Sequence, residues 1–209
     1  QALAQVADAR GAEILVVGSS RKEGLGKIAT SMCDQQAYNG AIVIVSGLDQ
    51  MVLERIMKPR QRLIAIGLPE GPTMETILAW SAGNFLKAGD MVTFMHVCPE
   101  GEEHDAEIRE TVGAAWREEL HHHPVRLAGE IINIFCNLGK GRASIPEDLK
   151  IQCKKTQPPP DVMIIGSNLK KTKFGFRVKA AQSTAIAKAV EVPVVLVRPD
   201  AKHAEHAHE

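Results

Sequence analysis

Two stretches of this chain repeat one another: EILVVGSS (Glu13 to Ser20) and DVMIIGSN (Asp161 to Asn168) each place an acidic residue before four apolar residues and a Gly-Ser pair. Such a repeat constrains the fold strongly, because each copy must form the same supersecondary unit. Each is followed by a basic, glycine-containing stretch, a helix-like segment and a second apolar run, AIVIVSG from Ala41 and PVVLVRP from Pro193. Both copies therefore read as strand, loop, helix, strand. Continuous runs rich in Val and Ile, without a polar residue at every second position, predict strands buried on both faces of a helix-covered parallel sheet.

A segment with no earlier counterpart separates the copies. RLIAIGL (Arg62 to Leu68) reads as an opening strand. Thr73 is expected to cap the helix after it, with Glu75 in the first turn, Met74, Ile77, Leu78, Ala82 and Phe85 on one face, and Gly89 closing it at C′. MVTFMHVC (Met91 to Cys98) is a second strand, and GEIINIFC from Gly129 a third. Between them Ile108, Val112, Ala115, Trp116 and Leu120 fall at helical spacing. EDLKIQCKK from Glu147 predicts a short helix, and Pro158 to Pro160 a stiff connector before the repeat resumes.

The order β-α-β-α-β-α-β-α-β over residues 61–200, joined by right-handed crossovers, predicts a doubly wound parallel five-stranded sheet with helices on both faces. Residues 1–47 match only its last part and read as the back half of a second copy. Residues 48–60 read as a helical linker, in which Met51, Val52, Ile56 and Met57 share a side before Pro59 stops the helix. Residues 201–209 form a polar tail.

Composition narrows the function classes. Lys plus Arg and Asp plus Glu each number 25, for a formal charge of zero, so no global field draws the chain to nucleic acid or anionic lipid. The 44% apolar content suffices for a packed core. Cys33, Cys98, Cys136 and Cys153 show no ligand spacing and predict reduced thiols in the cytoplasm. No apolar run reaches bilayer length, and the first residues lack a signal-peptide pattern. The start at Gln1 is expected of a cropped chain.

Candidate chemistry is sparse. His121 to His123 and the tail KHAEHAHE lack the spacing of a closed metal site. Glu102, Glu103 and Asp105 stand where acidic residues favour a helix dipole. Ser19 and Ser167 follow a strand and a glycine, but neither stands in G-x-S-x-G. Met95 reads as core, and Trp80 and Trp116 as anchors of their helices. No catalytic residue or metal ligand emerges, and the chain is expected not to be an enzyme.

With this order of elements the chain resembles the universal stress protein family. VVGSSRKEGLGK and IIGSNLKKTKFGF resemble its strand-four loop, VPVVLVRP its closing strand, and the segment from RLIAIGLPEG to MHVCP its opening β-α-β. The resemblance implies a flavodoxin-like strand order of 3-2-1-4-5 and pairing through the last strands, so that Ile42 to Val45 face Val194 to Val197 in a pseudo-dimer or with a protein partner. It also brings the possibility of a cytoskeletal or ciliary, axonemal, assembly.

Ligands of open α/β sheets sit at the strands' carboxyl ends where the winding reverses, here beside Gly67 and Gly166. Nucleotide-binding members of the family carry an Asp after the first strand and a G-x2-G-x9-G-[S/T] loop for the phosphates. Here Gly67 holds the Asp position, Gly166 is kept, Leu169 replaces the next glycine, and Lys179 and Ala180 fall where Gly-Ser belongs. The half copy keeps Gly18 but has Arg21 at the second glycine and Ser31 and Met32 at the closing pair. The contacts left to ATP or AMP are Gly67, Gly166, Ser167, Lys170 and Lys171, with Lys173, Arg177 and Lys179 in the same loop around Phe174 and Phe176. A non-catalytic binding or assembly module with a degenerate nucleotide site and no cofactor is therefore expected. An ATP- or AMP-binding stress-response regulator is the alternative.

Overall fold

The computed structural model describes residues 2–12, 14–19, 40–46, 61–68, 73–98, 105–136, 145–166 and 181–197. The first part holds α1 (Ala2–Ala9), β1 (Ile14–Ser19) and β2 (Ala41–Ser46). Then come β3 (Leu63–Gly67), α2 (Thr73–Trp80), β4 (Met91–Cys98), α3 (Asp105–His122) and β5 (Gly129–Cys136). The chain continues through α4 (Ile145–Lys155), β6 (Val162–Gly166), α5 (Ala181–Ala189) and β7 (Val194–Val197). The segments read as linker (48–60) and tail (201–209) lie outside the described residues.

All the strands join one seven-stranded sheet in the order β1-β2-β7-β6-β3-β4-β5. From β3 onward the order is 3-2-1-4-5, and every neighbouring pair there is parallel. The five-stranded prediction thus describes one part of a larger sheet. β1 and β2 pair in parallel, and β2 meets β7 antiparallel with Ile42 opposite Leu196, Val43 opposite Val195 and Ile44 opposite Val194. The chain direction reverses at that seam, between the second strands of the two repeats.

The strand alternation divides the core in two. On one face Ile42, Ile44, Ala65, Met95, Met163, Ile165, Val194 and Leu196 pack with Ala7 of α1, Leu149 and Cys153 of α4, and Ile186 of α5. On the other, Ile64, Ile66, Val92, Phe94, Ile164 and Val195 pack under Ile77, Leu78 and Trp80 of α2 and Val112 and Trp116 of α3. Trp116 meets Phe94 edge-on with ring centroids 5.0 Å apart and donates its indole N–H to Glu130 Oε2 at 2.7 Å. Trp116, in its predicted stripe, and Trp80 both anchor their helices against the sheet as expected, and Met95 is core.

Two expectations fail. The repeat copy at β1 is not buried on both faces: Leu15 and Val17 pack against the core, but Ile14 and Val16 are 40% and 63% exposed, because among the described residues no helix covers that side. Gly89 is not the C′ residue of α2. The helix passes into a wider π turn, Ser81–Phe85, in which Leu86 N–H donates to Ser81 O at 2.9 Å and the Ser81 hydroxyl to Ile77 O at 2.6 Å. Extended, buried Leu86 ends it. Gly89, at φ 88°, serves the later turn into β4, where its N–H donates to Arg126 O.

At the strands' amino ends Arg62 donates to both carboxylate oxygens of Asp90, through Nε at 2.8 Å and Nη2. Asp90 also accepts Lys87 N–H at 2.8 Å, and the guanidinium lies 5.4 Å over the Phe85 ring. Asp161, the acidic residue opening the second repeat copy, accepts Leu63 N–H at 2.9 Å and so ties β6 to β3. This end of the sheet is a structural clamp.

Candidate functional site

The carboxyl ends of β3 and β6 meet where the winding reverses, with Gly67 opposite Ile165 across the parallel ladder. Beside them lies a cavity of about 100 Å³. Its wall is aliphatic: Met95 and Val97 from β4, Ile145 and Leu149 from α4, Ile165 from β6 and Ile186 from α5. Ser183, in the first turn of α5, is the polar side chain on the wall among the described residues. Small-molecule pockets commonly span roughly 300 to 1,000 Å³. This one is a fraction of that and offers neither charge nor metal ligand among the described residues.

The two glycines that sequence reasoning set at this crevice both line the cavity, and each is also packed closely by a neighbouring side chain. A Cβ on Gly67 would stand 2.9 Å from Ile165 Cγ2, and one on Gly166 would stand 2.7 Å from Ile77 Cδ1 and 3.2 Å from Thr73 Cγ2. Gly67 lets β3 and β6 pack on the cavity side, and Gly166 lets α2 settle on the opposite side. Both act by lacking a side chain, which is the physical requirement for close approach. What approaches is a neighbouring apolar side chain. Ser167, Lys170 and Lys171, with the rest of the basic loop, lie outside the described residues.

One polar group here escaped sequence reasoning. His96 is 5% exposed at the end of β4, and its Nδ1–H donates to Leu68 O at 3.0 Å. That bond puts a proton on Nδ1, because a carbonyl oxygen only accepts, and Nε2 is buried with no hydrogen-bond partner among the described residues. In MVTFMHVC it reads only as one more position of an apolar strand. Cys153, on the face shared with the cavity, is a buried free thiol whose pKa is pushed up to about 11 by burial, so it stays neutral and unreactive at ordinary pH. No group of three or more His, Cys, Asp or Glu that could hold a metal ion occurs among the described residues. No helix among them is long and apolar enough to cross a membrane.

A doubly wound sheet in this order, with its crevice between β3 and β6, defines an α/β protein of the flavodoxin-like kind. No family model matches the sequence, and no curated protein does. Solved structures do match. A universal stress protein from Archaeoglobus fulgidus DSM 4304 superposes with a TM-score of 0.55 at 13% identity, over 91% of this chain and 62% of its own. A putative universal stress protein from Pseudomonas aeruginosa UCBPP-PA14 gives 0.52 at 13% identity, over 95% of this chain and 67% of its own. A functionally unknown protein from Pseudomonas aeruginosa PAO1 gives 0.52 at 11% identity over the same shares. The chain has the universal stress protein fold, and it spans about three fifths to two thirds of the length of these structures.

Proposed function

We infer that this chain is a non-catalytic binding and assembly module on the universal stress protein fold, with a nucleotide site that no longer works. The observation that carries the reading is the packing at Gly67 and Gly166. Ile77 and Thr73 pack on the α2 side of Gly166 and Ile165 packs at Gly67, so both strand ends are committed to side-chain packing. The cavity that the two glycines line is small and its described wall is aliphatic. A triphosphate needs aligned N–H donors or cations in a recess of its own size, and loss of even one such bond costs about 1 kcal/mol. The work of such a module is done by its sheet edges and faces, in protein contacts. Turnover of nucleotides or phosphoesters is not part of this function, nor is binding of nucleic acid.

Calorimetric titration of the chain with ATP and with AMP, each with magnesium, tests the reading. It expects no binding heat while circular dichroism shows the fold intact. Sub-millimolar binding that Lys170→Ala with Lys171→Ala abolishes would replace it with the nucleotide-binding regulator.

A further inference from the structure

Spacing along the chain leaves Cys98 and Cys136 unrelated, since a strand-helix-strand unit separates them. The sheet brings them together. Each is the last residue of its strand, and the parallel ladder of β4 with β5 runs unbroken from Met91 opposite Gly129 to Cys98 opposite Cys136. Neighbouring strands lie about 4.7 to 4.9 Å apart, inside the roughly 4.4 to 6.8 Å between Cα atoms that a disulfide spans. Opposed residues of a ladder share a face of the sheet, and the alternation from Val92 and Phe94 sets both cysteines on the face packed by α2 and α3. Cys153 belongs to the opposite core, where burial keeps its thiol neutral. The face of the cysteine pair also carries a nitrogen base. His96 stands two positions before Cys98 on β4, is 5% exposed, and spends its Nδ1–H on Leu68 O. In the neutral ring Nε2 is then the accepting nitrogen, and it is buried without a hydrogen-bond partner among the described residues.

We propose that Cys98 and Cys136 form a redox site, a dithiol that a low-molecular-weight disulfide such as oxidised glutathione converts to a disulfide between the two strand ends. The Cys98 thiol passes its proton to a base, for which His96 Nε2 stands on the same face, and the thiolate attacks one sulfur of the small disulfide. That sulfur-sulfur bond breaks, the first small thiolate leaves and takes up the proton, and Cys98 carries the mixed disulfide. The Cys136 thiolate then attacks the Cys98 sulfur, and the second small thiolate leaves with the Cys136 proton. Two protein thiols are oxidised, and one small disulfide is reduced to two small thiols. The product is a labile bond. Across a parallel ladder the Cβ atoms stand about as far apart as the strands, roughly 4.8 Å, whereas an unstrained disulfide wants about 3.5 to 4.5 Å. Strain of this kind makes a disulfide easy to reduce, which suits a reversible device better than a permanent staple. Oxidation fixes β5, which pairs among the described residues with β4 alone, covalently to its neighbour. The site goes beyond the assembly reading above and does not depend on it.

Incubating the intact, folded chain with oxidised glutathione, then blocking the remaining thiols and mapping peptides by mass without reduction, tests the site. The expected product is one intrachain link joining the peptides of Cys98 and Cys136, reversed by dithiothreitol. Cys136→Ser should stop the reaction at a glutathione adduct on Cys98, because the second thiol is gone. A variant with Cys33→Ser and Cys153→Ser should form the same link as the parent, which keeps the assignment independent of the other thiols. His96→Asn, with its fold checked by circular dichroism, should slow formation of the link about tenfold or more. No link between Cys98 and Cys136, a link that favours Cys33 or Cys153, or adducts on both cysteines that never resolve overturns the proposal. So does stoichiometric zinc on the purified chain that Cys98→Ser releases, which would make the pair metal ligands instead. Nucleotide binding, which would sink the assembly reading, is read by the separate titration and leaves these outcomes unaffected.

Discussion

Ile77 Cδ1 lies 2.7 Å from the point where a Cβ on Gly166 would stand, closer than real side chains approach one another. The glycine that a motif reading would give to a phosphate is thus committed to seating α2 on the sheet. Gly166→Ala should therefore destabilise the chain by about 1 to 3 kcal/mol through overpacking. Ile77→Val, which removes the offending methyl, should recover part of that loss in the double variant. Gly18→Ala, at the matched open position, should stay within about 0.5 kcal/mol of the parent. Urea denaturation of the four proteins measures all three.

The clamp at the amino ends of the strands gives a second outcome. Asp90 has a side chain only 4% exposed and holds Arg62 and the Lys87 amide together. Asp90→Ala strips the carboxylate from the Arg62 guanidinium, which keeps its bond to Phe85 O, and leaves the Lys87 N–H without its acceptor, so a loss of about 2 to 4 kcal/mol is expected, toward the lower end because Arg62 keeps 35% exposure and reaches water. Asp90→Asn should cost less, since the amide oxygen can still accept one bond. Thermal unfolding of the pair checks the ranking.

The seam between the repeats can be locked chemically. Val43 and Val195 are directly opposed across the antiparallel pairing of β2 with β7. Directly opposed residues of such a pair have Cα atoms about 4.5 to 5.5 Å apart, within disulfide reach. Val43→Cys with Val195→Cys should oxidise to an intrachain disulfide at monomer mass. Shifting the first cysteine to Val45 should abolish it, because that side chain lies on the same face but out of register.

Burial of Cys153 predicts a pH effect of definite sign. Its pKa rises from 9.0 to about 11 on folding, so the unfolded chain loses that proton first as pH climbs. Stability from this group is whole below about pH 9 and declines as pH rises from there to about 11. Cys153→Ala should lose the part of that decline which the thiol supplies, although its baseline stability will be lower from the cavity it leaves. Urea midpoints of both proteins across this interval separate the two effects.

Much of this fold was legible in the sequence because its strands are continuous apolar runs and its helices carry clean stripes. RLIAIGL, MVTFMHVC, DVMIIGSN and PVVLVRP all became strands, and Val112 and Trp116 face the sheet as their spacing requires. What failed depends on partners that no local pattern encodes. EILVVGSS and DVMIIGSN read alike, yet among the described residues only the second is covered, at Ile164, so the exposure of Val16 could not be seen in its residues. The π turn at Ser81–Phe85 was missed because helical spacing continues through it, and Gly89 gave a false stop. At the crevice, Gly67 and Gly166 stand at the strand ends where the winding reverses, but a glycine serves a ligand or a neighbouring side chain equally well. The close packing of Ile165 and Ile77 against them is a tertiary contact that no local pattern encodes.

Side-chain packing at Gly67 and Gly166, with a cavity too small for a nucleotide, implies that this crevice takes no phosphate. Amide NMR of the labelled chain during titration with magnesium ATP tests it residue by residue. The Gly67 and Gly166 resonances are expected to hold their positions through millimolar nucleotide. Saturable shifts centred on those two glycines, accompanied by movement of the Ile77 and Ile165 methyl signals, would contradict it.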